Sequence, residues 1–349
     1  MNRVCAGLAA AGIALLAAGC GSSGSGSGAT ADAHVTLRLG YLENITHATA
    51  LVGIKEGFFT KNLGPNVSLD LVPFSTGTEE ATALLAGQLD AAYVGPNPAI
   101  STWQKSQGTA IRIVAGAASG GAALVVKKGI ASPAQLTGQK LASPSLGNTQ
   151  DVALRYWLKQ QGLTTTTTGG GDVDVSPTSP NSAAVLEFES GQIAGGWEPA
   201  PYDAEMVADG GHELVDEASL WPGGQFVTTN LVVTQQFLAA HSTVVSDLLK
   251  GSIEANSFIN SASTRAAAET AANDELESLT GKALKPAILS AAFQQVTFTD
   301  NPIASSLLTD AQHAQSVDLL SPVKNLSGIY DLGPLDKLLA ADGQPQVSS

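Results

Sequence analysis

Apolar and polar positions alternate along VTLRLGYL (35–42) and again along VSLDLVPF (67–74), the two-residue period of a strand. Between them THATALVGIKEGFF places Ala48, Leu51, Val52, Ile54 and Phe58 at helical spacing. STGTEEATALLAGQ follows, and Thr76 with Glu79 three residues later predicts a capped helix start. LDAAYVG and IRIVAGA are short apolar runs of buried-strand type, separated by NPAISTWQKS, which predicts a helix capped by Asn97 with Pro98 in its first position.

The rhythm then restarts. GGAALVVKKG, QKLASPS and HELVDE predict strands; LGNTQDVALRYWLKQQGL and NSAAVLEFESGQ predict helices. IAGGWEPAPYDAEMVADGG predicts a strand, a turn and a helix. FVTTNLVVTQQFL predicts a long apolar strand able to run back into the first half, and the remainder is mostly helical. Strands alternating with helices predict an α/β fold of two lobes, 34–121 plus 227–349 and 122–226, each a mainly parallel sheet flanked by helices.

The chain ahead of this body has a different character. Arg3, an apolar run from Ala6 to Ala18 and the small residues before Cys20 describe a secretory leader, residues 1–19, whose apolar part is too short for a spanning helix. Cys20 follows Ala17, Ala18 and Gly19 in an arrangement that resembles the lipobox of bacterial lipoproteins, with Leu16 one place further from the cysteine than usual. Lipidation of Cys20 is therefore expected. Residues 20–33, glycine- and serine-rich, form the expected tether, with a reach of roughly 20 Å. The body is expected on the outer face of the cytoplasmic membrane, held there by the lipid. The other cysteine, Cys5, leaves with the leader, which excludes an internal disulfide and a cysteine-rich metal site.

Composition narrows the partners. The chain has 31 acidic and 17 basic residues, a formal net charge of −14 and no basic cluster. That argues against nucleic acid and against electrostatic docking on anionic lipid. No cofactor or metal site is expected, no G-x-S-x-G, H-E-x-x-H or Walker motif is present, and a monomer is expected.

In open α/β sheets, ligands bind beyond the carboxyl ends of the strands, where helix N-termini point. The loops at those positions are ENITH (43–47), STGT (75–78), GPNP (95–98), ASGG (118–121), SPSLGNTQ (143–150) and WEPAPYD (197–203). They offer Asn44, Thr46, His47, Ser75, Gly77, Thr78, Asn97, Ser119, Asn148 and Thr149, with no lysine or arginine among them. Hydroxyls, amides and free N–H groups at helix starts make an anion site without a formal cation, which suits a singly charged oxyanion such as a sulfonate. Each such residue also serves ordinary helix capping. Trp197 fits either a core position or the apolar part of a ligand; Glu198 fits a helix cap or a contact to a ligand amine.

LGYLENITHATALVGIKEGFF, LLAGQLDAAYVGPNPAI, GNTQDVALRYWL and WEPAPYD together resemble the solute-binding subunits of bacterial ABC importers, in the group that includes the aliphatic sulfonate, taurine and nitrate binding proteins. The resemblance runs from about Val35 to Ala340. It implies the two-lobed type II periplasmic-binding fold, closing on a small anionic solute and delivering it to a permease with its ATPase. By the same resemblance Asn44, Thr46 and His47 match a first ligand-facing loop, and Ser75, Gly77 and Thr78 a second. Asn97 matches a third, Asn148 and Thr149 the turn from the other lobe, and Trp197–Glu198 a tryptophan–acid–proline turn. A basic contact found in some relatives has no match here. The same pattern covers the yeast-type synthase of the thiamine pyrimidine, whose cysteine-rich motif this chain lacks; no enzymatic activity is expected. Nitrate, bicarbonate or a thiamine-precursor pyrimidine are the alternative solutes, and a non-transport surface sensor the alternative role.

Overall fold

The strand-like alternation at 35–42 becomes β1 (Val35–Leu42), whose Leu37, Leu39 and Tyr41 are all buried in one core cluster. It is described in a computed structural model covering residues 34–323 and 326–347. The leader, Cys20 and the tether lie outside the described residues.

Beside β1 lie β2 (Val67–Phe74) and β3 (Ala91–Val94), both parallel to it. The same sheet continues through β10 (Val227–Thr234), β4 (Ile111–Gly120) and β11 (Val296–Phe298), all antiparallel to their neighbours, giving the order β11-β4-β10-β3-β1-β2. The second sheet comprises β5 (Ala122–Val126), β6 (Lys140–Ser143), β7 (Asp174–Pro177), β8 (Gly195–Pro199) and β9 (His212–Asp216), in the order β7-β6-β8-β5-β9. Here β7 and β8 run parallel to β6, whereas β5 is antiparallel to both β8 and β9. Both sheets are therefore mixed. The departure from mainly parallel sheets arises at β4, β5 and β10, the strands on either side of the two passages between sheets: they enter each sheet against the direction of the βα units.

Alternate residues face opposite ways on these strands, so each sheet has a core on both faces. Tyr93 joins the cluster under β1, and its neighbours Ala92 and Val94 join the opposite one with Ile111, Ile113 and Val232. In the second sheet Leu124 and Val126 pack with Leu141, Trp157 and Trp197; Ala123 and Val125 pack with Ala142, Phe188 and Met206. The chain passes between the sheets at Gly120–Gly121, both with a φ of 77°, and returns through the short 3-10 turns that follow β9. A side chain at Gly121 would stand 2.4 Å from Val296 Cγ2, so close approach as well as conformation requires glycine there.

Local chemistry explains most helix starts. The helix Gly77–Leu85 is capped by Thr76, which accepts from the N–H of Glu79 as its spacing predicts. The next helix begins earlier than expected: Gly95 is its N-cap and Pro96, not Pro98, its first residue. Proline suits that position because the missing N–H has no intrahelical partner to lose. In the mostly helical remainder, Val296 follows the helix Pro286–Gln295 and starts β11. The helix Ala304–Ser316 follows a run too rich in serine, threonine and glutamine to stand out in the sequence. Among the described residues no helix is long and apolar enough to cross a membrane.

Candidate functional site

Loops from both sheets meet around a buried cavity of about 20 Å³. From the first sheet, the loop after β1 contributes Asn44, Thr46 and His47, the loop after β2 contributes Gly77, and the loop after β3 contributes Gly95 and Pro98. Thr228 arrives on β10. From the second sheet come Asn148, Thr149 and Gln150, after β6, and Pro199 at the end of β8. No lysine, arginine or acidic side chain is among the lining residues.

The electrostatics come from the backbone and from neutral side chains. The first N–H groups of a helix have no intrahelical partner. Asn148 caps the helix Thr149–Gln160 by accepting from Asp151 N–H at 2.9 Å, so the N–H groups of Thr149 and Gln150 are left for the cavity. The helix starting at Gly77 adds a second such terminus, and the positive ends of both dipoles favour a negative occupant. Thr149 Oγ1 is buried and has no hydrogen-bond partner among the described residues. A buried hydroxyl without a partner carries an unmet desolvation cost, which an occupant of the cavity would relieve.

His47 is buried, and its Nδ1 accepts from Leu42 N–H at 3.2 Å. Burial pushes its pKa down to about 3. The ring is thus neutral with its proton on Nε2, a donor carrying no charge. Asn44 Oδ1 accepts from Thr46 Oγ1 at 2.7 Å, which fixes the amide so that its Nδ2 donors turn away from that bond.

The remaining candidates lie around the cavity rather than on it. Thr78 Oγ1 is 3.0 Å from Ser145 Oγ, a contact joining the two sides. Ser75 is half-buried and is not among the lining residues. Asn97 Nδ2 donates to the carbonyl of Asp310 at 3.3 Å, and Ser119 Oγ accepts from Phe226 N–H at 3.4 Å. Trp197 is in the core, its indole N–H donating to Glu217 Oε2 at 2.7 Å. Glu198 is fully buried with neither carboxylate oxygen hydrogen-bonded among the described residues. Burial, and then the charge of Asp203, raise its pKa well above the usual range, which favours its neutral form. Of the lining residues, Gly95, Pro98, Gln150 and Pro199 lay within the loops picked out from the sequence without being singled out. Thr228 had no signal of that kind, because only strand register brings it here.

A model of the NMT1-like family matches residues 30–273. The chain belongs to the NMT1-like family. Among the members' relatives, a Brucella abortus protein named as a binding protein without a stated ligand is 28% identical over 262 residues, 72% of this chain and 77% of that one. The taurine-binding periplasmic protein of Escherichia coli is 27% identical over 206 residues, 59% of this chain and 61% of that one. The alkanesulfonate-binding protein SsuA from Xanthomonas axonopodis pv. citri, solved with MOPS bound, superposes with a TM-score of 0.66 at 17% identity, over 82% of this chain and 94% of that one. At that identity the likeness is one of fold, the two-lobed α/β architecture.

Several buried acids make stability in this NMT1-like chain depend on pH. Burial raises Asp203 and Glu217 to about 8, and raises Glu80, Glu198 and Asp310 well above the usual range. A carboxyl that stays protonated in the folded state while the unfolded chain ionises loses stability as pH rises towards its folded pKa. The buried histidines His47 and His313, lowered to about 3 and 4, act in the opposite sense but only below their unfolded value of 6.5. Between pH 6.5 and 8.5 the acids therefore act alone, and the melting temperature is expected to fall by several degrees. Asp203→Asn, which keeps the acceptor for Ala204 N–H, is expected to flatten that slope; a melting temperature independent of pH over this window would refute the assignment.

Proposed function

We propose that the chain is the extracytoplasmic solute-binding subunit of an ABC importer, capturing a small organic anion, an aliphatic sulfonate in the favoured case, and delivering it to the permease. The observation that carries this reading is the unpartnered Thr149 hydroxyl beside two helix N-termini in a buried cavity without a lining cation. Such a site stabilises one diffuse negative charge through neutral donors; a phosphate monoester, doubly charged, more often recruits arginine. The names of the taurine- and alkanesulfonate-binding relatives agree with this chemistry.

The cavity as described has room for roughly one water. A sulfonate needs the two sides to part and close again around it. The contacts that would break include Thr78 with Ser145, the Tyr202 hydroxyl to the carbonyl of Glu43 at 2.7 Å, Ile45 N–H to the carbonyl of Ala200 at 2.8 Å, Lys159 to the carbonyl of Ser316, the Tyr156–His313 stack, and Lys282 with Glu205 at 2.9 Å. The small volume also favours a second reading, a compact planar anion such as nitrate or bicarbonate. Lipidation at Cys20 and a tether to the membrane complete the proposed arrangement, with no catalytic step.

Removing the hydroxyl tests the reading directly. A hydrogen bond to a charged group contributes about 1.5–3 kcal/mol, so Thr149→Ala is expected to weaken binding of the preferred anion by at least about tenfold in isothermal titration. Unchanged affinity would place the anion elsewhere.

A further inference from the structure

A second cavity, of about 490 Å³, shares no lining residue with the first. It lies between the helices Thr149–Gln160 and Ala304–Ser316 and the turn carrying Glu217 and Trp221. Its walls are aromatic. Tyr156 and His313 stack with ring centroids 3.6 Å apart, and Trp221 stands 5.4 Å from His313 at an angle of 46°. Trp221 is itself braced by Phe226, stacked at 5.1 Å, so its ring is held in place before any ligand arrives. No lysine or arginine is among the lining residues. His313 is pushed down to about 4 by burial and presents a neutral ring at neutral pH.

One wall is acidic. Glu217 lines the cavity, is 2% exposed, and is held by the indole of Trp197. Asp216 and Asp310 both act on it electrostatically. Burial favours the protonated form of Glu217 in the empty cavity, and a cation beside it would draw out the ionised form as its counter-charge. A cation over the faces of tryptophan and tyrosine is attracted by their quadrupoles, and the volume lies within the range of small-molecule sites.

We propose that this cavity is a second ligand site, which takes a small organic cation: an alkylated ammonium group seated against Trp221 and Tyr156, with Glu217 as its counter-ion. Bare rings suit an alkylated ammonium better than a primary one, whose N–H donors need several acceptors. The two cavities have no residue in common, although both lie between the same two sides, so the cation site is complete only while these are together.

The test uses the exported chain in the absence of any candidate oxyanion beyond buffer chloride. Choline and its uncharged carbon isostere, 3,3-dimethylbutan-1-ol, are titrated in parallel by calorimetry. Choline is expected to bind at least tenfold more tightly than the isostere. Glu217→Gln, whose side-chain carbonyl still accepts from Trp197, is expected to remove that preference, and Trp221→Leu to weaken choline at least tenfold. Equal binding of the two probes, no binding of choline, or choline affinity unchanged in both variants would each overturn the proposal. Trp221→Leu keeps the test decisive if the Glu217 variant fails to fold, because Trp221 is only half-buried.

Discussion

Gly95→Val is expected to lower affinity for the preferred anion by about 100-fold, equivalent to about 2.7 kcal/mol, while the unliganded protein stays folded. A Cβ at Gly95 would stand 2.5 Å from Thr149 Oγ1, and that atom belongs to the other side of the cleft. The backbone itself does not require glycine: its φ is −64°, accessible to any residue. The clash therefore exists only when the two sides meet. Either they stay apart, or Thr149 rotates its hydroxyl out of the cavity, and both outcomes remove the contact that binding needs. Affinity by calorimetry and melting temperature without ligand separate this from a folding defect. A Gly95→Val protein that binds normally would mean that the sides do not close as described.

Asp151→Ala is expected to destabilise the fold by about 3–5 kcal/mol, the cost of leaving a buried charge without its partner. Asp151 is fully buried and accepts from Ser143 Oγ at 2.7 Å, Arg155 Nε at 3.0 Å and Gly147 N–H at 2.9 Å. Arg155, 1% exposed, would keep only the carbonyls of Thr166 and Val175. The double variant Asp151→Ala/Arg155→Met is expected to recover part of the loss, because the stranded guanidinium goes with it. Urea unfolding measures both, and a single-variant loss under about 1 kcal/mol would show that Arg155 finds another partner. Since Asp151 also ties down the turn before Thr149, the variant is expected to bind more weakly as well.

How much of this was legible beforehand follows from the range of the interactions involved. Strands such as β1 and β2 declare themselves by alternation, because one sheet face packs more deeply than the other. Thr76 declares a helix start because the cap and its N–H lie three residues apart. β11 does not, since three residues at the end of a helical run become a strand only by pairing with β4. The loops at the strand ends were legible as a group, and six of the candidates named in them do meet: Asn44, Thr46, His47, Gly77, Asn148 and Thr149. Which members of a loop point inward was not. Asn97 turns to Asp310 because the cap is Gly95, two residues before the expected one, and Trp197 turns to the core because strand alternation sets it beside Leu124 and Trp157. The aromatic cavity had no local signature, since Tyr156, Trp221 and His313 come from three separate segments.

The most direct measurement of the central claim is the thermal stability of the protein against a panel of taurine, alkanesulfonates, nitrate, bicarbonate and thiamine-precursor pyrimidines, with Thr149→Ala alongside. A ligand at 100 times its dissociation constant adds about 2.7 kcal/mol. The expected result is stabilisation by an oxyanion, sulfonates foremost, that shrinks sharply in Thr149→Ala. Stabilisation by a neutral pyrimidine alone, or by an oxyanion to the same extent in both proteins, would contradict it.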